Sequence, residues 1–109
     1  MDDATIDIDH LRAKAGQASG LLKALANPDR LLLLCQMTQD EYSVGMLEEL
    51  TGIRQPTLSQ QLTVLRQEEL VSTRREGKQI FYRIASPAAL AVLQVLYQQF
   101  CNDDGQGAT

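Results

Sequence analysis

Between residues 44 and 84 the apolar spacing changes from the three-and-four step of a helix to the strict alternation of a strand. Val44, Leu47 and Leu50 share one face of a short helix that Ser43 can cap. Thr51-Gly52 stops it, and Gly52 suits a left-handed turn position. A second helix starts near Gln55-Pro56, with Leu58, Leu62 and Leu65 as its buried stripe. At about 100° per residue, Pro56, Gln60, Thr63 and Gln67 point the other way, flanked by Thr57 and Ser59. Val71-Ser72-Thr73-Arg74 then has strand character, and Arg75-Glu76-Gly77-Lys78 reads as a turn. In Gln79–Ile84, Ile80, Tyr82 and Ile84 fall on one face. Two helices joined at a tight glycine turn and followed by a hairpin are the outline of a winged helix-turn-helix.

The flanking segments read as helices. Ile8, Leu11, Ala15, Ala18, Leu22 and Leu25 form the stripe of a long first helix. Asn27-Pro28 supplies a cap and a first-turn proline for a second, whose Leu31, Leu32, Leu33, Leu34 and Cys35 are apolar nearly all round. Such a short helix is expected to be central and buried. Ser86-Pro87 opens a last helix, whose Leu90, Val92, Leu93, Leu96, Tyr97, Phe100 and Cys101 make a wide apolar face. No internal repeat or Pro/Gly-rich linker interrupts the chain. The expected architecture is mainly α (α+β): one domain over residues 8–101, with five helices and a two-stranded β-hairpin wing. The ends, 1–7 and 102–109, are expected to be flexible. A chain of 109 residues cannot easily cover so wide a last helix from within. The first and last helices are therefore expected to pair across a two-fold axis in a homodimer.

The net charge of −4 argues against nucleic acid until its distribution is considered. Residues 54–83 carry Arg54, Arg66, Arg74, Arg75, Lys78 and Arg83 against Glu68, Glu69 and Glu76, a net +3, while the remainder carries −7. A local anion-binding face on an acidic body fits this division, as does an ordinary solvated surface. The outer face of Gln, Thr and Ser on the fourth helix suits hydrogen bonds to base edges, or plain solvation. Arg75 and Lys78 at the wing tip suit phosphate contacts, or solubility alone. No phosphate loop or Ser/His/Asp set is present, and the lone His10 has no plausible partner, so an enzyme is not expected. No apolar run approaches the roughly 18 residues of a membrane span. The acidic start, Met1-Asp2-Asp3-Ala4-Thr5, lacks the regions of a signal peptide, so the expected compartment is the cytoplasm, with reduced thiols.

The run Leu47-Glu48-Glu49-Leu50-Thr51-Gly52-Ile53-Arg54-Gln55-Pro56-Thr57-Leu58-Ser59-Gln60-Gln61-Leu62-Thr63-Val64-Leu65-Arg66 resembles the helix-turn-helix of the arsenic-repressor (ArsR) family. Leu70-Val71, Arg74-Arg75-Glu76-Gly77-Lys78 and Phe81-Tyr82-Arg83 resemble its wing, and Leu25-Ala26-Asn27-Pro28-Asp29-Arg30-Leu31 resembles the start of its second helix. The resemblance covers residues 8–101. It implies a homodimeric repressor that leaves palindromic operator DNA when an inducer binds. It also implies base or backbone contacts from Gln55, Thr57, Ser59 and Gln60, with Thr63 on the same face. Arg54 stands where the family usually has a capping serine. That change forfeits a cap, at a cost of about 1 kcal/mol, and offers a cation to phosphate.

The family's members differ mainly in what they sense. Ser43-Val44-Gly45-Met46-Leu47 lacks the cysteines of the founding metal sensors, and residues 87–101 contain no His, Asp or Glu. Neither a metal site nor any other cofactor is expected. Cys35 and Cys101 suit small buried hydrophobes. Both also match the two sensing positions of the sulfide- and persulfide-responsive, BigR/SqrR-like branch, which Met46–Leu50 and Gln55–Leu62 resemble as well. The resemblance implies reactive sulfur species as inducer. An HlyU-like activator that displaces a silencer, or a general thiol-oxidation sensor, is similar in the same cysteine pair. An interaction domain that kept the fold and lost DNA binding is the reading outside this class.

Overall fold

A computed structural model describes residues 7–101; of the expected loose ends at 1–7 and 102–109, all but Asp7 lie outside the described residues, and Asp7 is instead the cap of α1. Five helices and three strands follow in the order α1 (Ile8–Leu25), α2 (Pro28–Gln36), β1 (Tyr42–Ser43), α3 (Val44–Thr51), α4 (Thr57–Gln67), β2 (Val71–Glu76), β3 (Gln79–Ile84) and α5 (Pro87–Phe100).

Short side chains fix most of the helix starts. Asp7 caps α1 by accepting from the Asp9 N–H. Asn27, Ser43 and Ser86 cap α2, α3 and α5, accepting from the N–H groups of Arg30, Met46 and Ala89 at 3.0, 3.2 and 3.1 Å. Pro28 and Pro87 take first-turn positions, where no N–H is needed. Gly52 adopts φ +77° and ends α3 by donating its N–H to the Glu48 carbonyl. A side chain there would meet the left-handed penalty of about 1–2 kcal/mol. The end of α4 is a Schellman turn: Leu70 N–H donates to the Leu65 carbonyl and Glu69 N–H to that of Arg66. Glu69 carries the left-handed conformation, φ 61°, and the chain is thereby aimed into the wing.

The wing differs from the two-stranded expectation. Its sheet has three strands in the order β1-β3-β2, all antiparallel, with Tyr42 opposite Tyr82 and Ser43 opposite Phe81. The added strand arises because the segment leading into α3 pairs with the free edge of β3. The turn is also tighter than expected. Glu76 faces Gln79 across the ladder, leaving Gly77-Lys78 as a two-residue loop with Gly77 at φ +65°. Arg75 accordingly belongs to β2, opposite Ile80.

One core joins these elements. Leu33, Leu34 and Met37 of the α2 region meet Leu47, Leu58, Leu62, Leu65, Tyr82, Ala89 and Leu93. The second helix is less enclosed than expected, since Leu32 is exposed and Leu31 and Cys35 are half-buried. Its inner side faces the core, and Leu32 on its outer side is open among the described residues. Leu93 is fully buried within the protomer, while Val95, Tyr97 and Phe100 remain exposed. The expected wide face of α5 therefore divides into a core half and an open half. On α1, Ile8, Leu11 and Leu22 are exposed in the same way. No described helix is long and apolar enough to cross a membrane.

Candidate nucleic-acid interface and thiol pair

The geometry of α4 follows from its buried leucine stripe. With Leu58, Leu62 and Leu65 inward, Ser59, Gln60 and Thr63 are exposed on the opposite side and Thr57 is half-buried at the helix start. Thr63 uses its hydroxyl hydrogen to donate to the Ser59 carbonyl at 2.8 Å, which leaves its oxygen free to accept. Arg54 and Gln55 lie in the segment leading into α4. The lost capping serine has a substitute: Gln55 Oε1 accepts from the Ser59 N–H at 3.0 Å. Pro56, at the cap position, has no side-chain bond to offer. Arg54 is highly exposed and lies 3.4 Å from Glu48 of α3. Such a surface pair is weak and easily exchanged for a phosphate.

Arg75 and Lys78 are both exposed, at the end of β2 and in the wing turn. Arg74 differs from them in a way that a count of charges misses. Its Nε and Nη2 donate to the Glu41 carboxylate at 2.6–3.0 Å, and its Nη1 donates to Glu76 at 2.8 Å. The guanidinium also stacks 4.8 Å from the Phe81 ring centroid. The same bonds hold the Glu41 carboxyl below the usual carboxylate range. Arg74 is thus committed to bracing the wing against the segment before β1, and among the described residues Arg75 and Lys78 are the exposed cations of the hairpin tip without an ion pair.

Cys35, near the C-terminal end of α2, is half-buried, and Cys101 is exposed just beyond α5; both are free thiols. Burial pushes the Cys35 thiol above its ordinary value of 9.0, and the negative charge of a Cys101 thiolate pushes it further. The fold therefore brings within electrostatic reach two side chains that lie far apart in the sequence. Labelling of Cys35 by iodoacetamide should follow its thiolate, with a midpoint above 9.0. In Cys101→Ser the midpoint should fall part of the way back, because the like charge is gone and the burial remains. A pH–rate profile followed by mass spectrometry checks this, and an unchanged midpoint would show that the thiols do not sense each other. Among the described residues, no three His, Cys, Asp or Glu side chains gather as a metal ion would require.

The arsR-family model for bacterial regulatory proteins matches residues 27–73, from the α2 cap to the start of the wing. The biofilm growth-associated repressor of Agrobacterium fabrum is 50% identical over 101 residues, covering 93% of this chain and 86% of the relative. The chain belongs to the ArsR family of bacterial regulatory proteins. The transcriptional activator HlyU of Vibrio cholerae is 36% identical over 98 residues, 90% of this chain and 91% of the relative. Among solved structures, the transcriptional repressor BigR of Xylella fastidiosa superposes with TM-score 0.80 at 46% identity, over 88% of this chain and 98% of that one. The homodimeric winged helix-turn-helix DNA-binding domain Mb0332 of Mycobacterium bovis gives TM-score 0.73 at 31% identity, over 94% of both chains. Family and fold make this chain a transcriptional regulator of the DNA-binding kind and not an enzyme.

Proposed function

We propose that the chain is a dimeric repressor that binds an inverted-repeat operator and leaves it when Cys35 and Cys101 react with a persulfide. Ser59, Gln60 and Thr63 of α4, with Thr57 and Gln55 at its start, read the major groove, while Arg54, Arg75 and Lys78 hold phosphates. The open apolar sides of α1 and α5 meet their counterparts across a two-fold axis, so two α4 helices address two half-sites. The similarity to two repressors supports the direction of regulation. What supports the sensing step is the placement of two free thiols, Cys35 near the end of α2 and Cys101 just beyond α5, with the charge of Cys101 felt at Cys35.

The chemistry balances without an external oxidant. Each cysteine thiolate attacks the outer sulfur of a donor persulfide, takes that sulfur and releases the donor thiolate. One protein persulfide then attacks the inner sulfur of the other and expels hydrosulfide, leaving a trisulfide bridge. Cys101, being exposed, reacts first, and the half-buried Cys35 follows. The bridge ties the end of α2 to the end of α5, and so alters the geometry of the dimer helix against the domain that carries α4. Anaerobic glutathione persulfide should add one sulfur less two hydrogens to the intact mass and should release DNA. Cys35→Ser and Cys101→Ser should each still bind DNA and should not be released. Release of both variants at the wild-type rate would refute thiol sensing. Equal release by peroxide, with no retained sulfur, would make the pair a general oxidation sensor.

A further inference from the structure

Arg30 joins three helices through one planar group. Its backbone N–H is held by the α2 cap, Asn27 Oδ1, at 3.0 Å. Its Nε donates to the Ala24 carbonyl at 2.7 Å, and Nη2 makes a longer contact of 3.4 Å to that of Lys23. Both carbonyls belong to the last turn of α1, where intrahelical donors run out and the helix presents its negative end. The remaining arm, Nη1, donates to Gln61 Oε1 on α4 at 2.9 Å. Gln61 is half-buried and follows Gln60 directly, one turn after Thr57.

A guanidinium is rigid, so its donors keep fixed directions relative to one another. Anchored on α1 by one edge, Arg30 offers Gln61 Oε1 a donor in a fixed place, a second constraint on the rotation of α4 beside its buried leucine stripe. One residue of helical rotation is about 100°, so a modest rotation would carry Gln60 and Thr63 off their target. We infer that Arg30 and Gln61 are positioning residues for DNA recognition: their contact sets the angle of α4 against α1, the helix proposed to meet the partner copy. The inference rests on the reading of α4 as the recognition helix. Neither side chain touches DNA in this role; both act through the groups α4 presents.

The test uses the full chain and a duplex selected from a random pool by the wild-type protein, with a scrambled duplex as control. Gln61→Met keeps a good helix former and removes the acceptor. Arg30→Lys keeps the charge at the end of α1 and loses the fork. Each should lower the ratio of selected to scrambled affinity about tenfold, the worth of one charge-assisted hydrogen bond. Scrambled-duplex affinity should be unchanged, since the phosphate contacts remain. The double variant should be no worse than the worse single one, because both break the same contact. Ratios at the wild-type level, or losses that multiply in the double variant, would overturn the inference; the latter is the signature of Gln61 touching bases itself. A wild-type chain with no preference would instead overturn the reading of α4, and the inference with it.

Discussion

Leu93→Glu should leave no folded protomer, whereas Val95→Glu, two residues further along α5, should leave a folded chain that no longer forms the proposed dimer. Leu93 is 1% exposed in the single chain, and Val95 is 56% exposed. A two-residue step turns a helix by about 200°, so the two side chains face opposite ways. A glutamate at 93 forfeits roughly 2 kcal/mol of apolar burial and strands a carboxylate worth a further 3–5 kcal/mol. Against a domain stability of about 5–15 kcal/mol, that is enough to abolish cooperative unfolding in many domains of this size. The dimer expected from the sequence is therefore probed at Val95 and not at Leu93. Val95→Glu exchanges a β-branched residue for a better helix former, so α5 itself gains. Two carboxylates then enter the interface, one from each copy, and dimer affinity should fall by about a hundredfold or more. Sedimentation and thermal melts separate the two results. A Val95→Glu chain that stays dimeric would show that this side of α5 is not the interface.

The second large effect is electrostatic. Operator affinity should fall linearly in log–log form as salt rises, because phosphate binding releases counterions. Lys78→Ala removes two cations from a dimer, one per wing, and should reduce the slope by about two. Arg75→Ala should do the same. Arg74→Ala should leave the phosphate count unaltered, since its guanidinium already belongs to Glu41 and Glu76. Its effect should come through a looser wing. Gln60→Ala should leave the slope as it is and relax one base position in each half-site by about 1–3 kcal/mol. A slope insensitive to both Arg75→Ala and Lys78→Ala would remove the wing from the interface.

The helix-turn-helix was legible because its signals are local. Ser43, Asn27 and Ser86 each cap a helix within three residues, and Gly52 marks the turn by itself. The third strand was not legible, because Tyr42-Ser43 is too short for a periodic pattern and exists only by pairing with Tyr82 and Phe81. Charge counting placed Arg74 in a basic face, yet its partner Glu41 lies 33 residues away in sequence. The width of the apolar face on α5 was readable, while Val95 was not among its residues, and the division between buried Leu93 and exposed Tyr97 and Phe100 depends on packing against elements such as β3. Arg30 carried no signal of a tie to Gln61, since a long-range bond between polar side chains leaves no period in the chain. The thiol pair was marked by family resemblance, while the charge of Cys101 reaching Cys35 appears only in the folded chain.

The most direct measurement is a titration of the wild-type chain, at physiological salt, against the inverted repeat it selects from a random pool and against scrambled DNA of equal length. Cooperative binding of one dimer per repeat should be at least about a thousandfold tighter on the selected duplex. Equal affinity for the two duplexes would contradict the account.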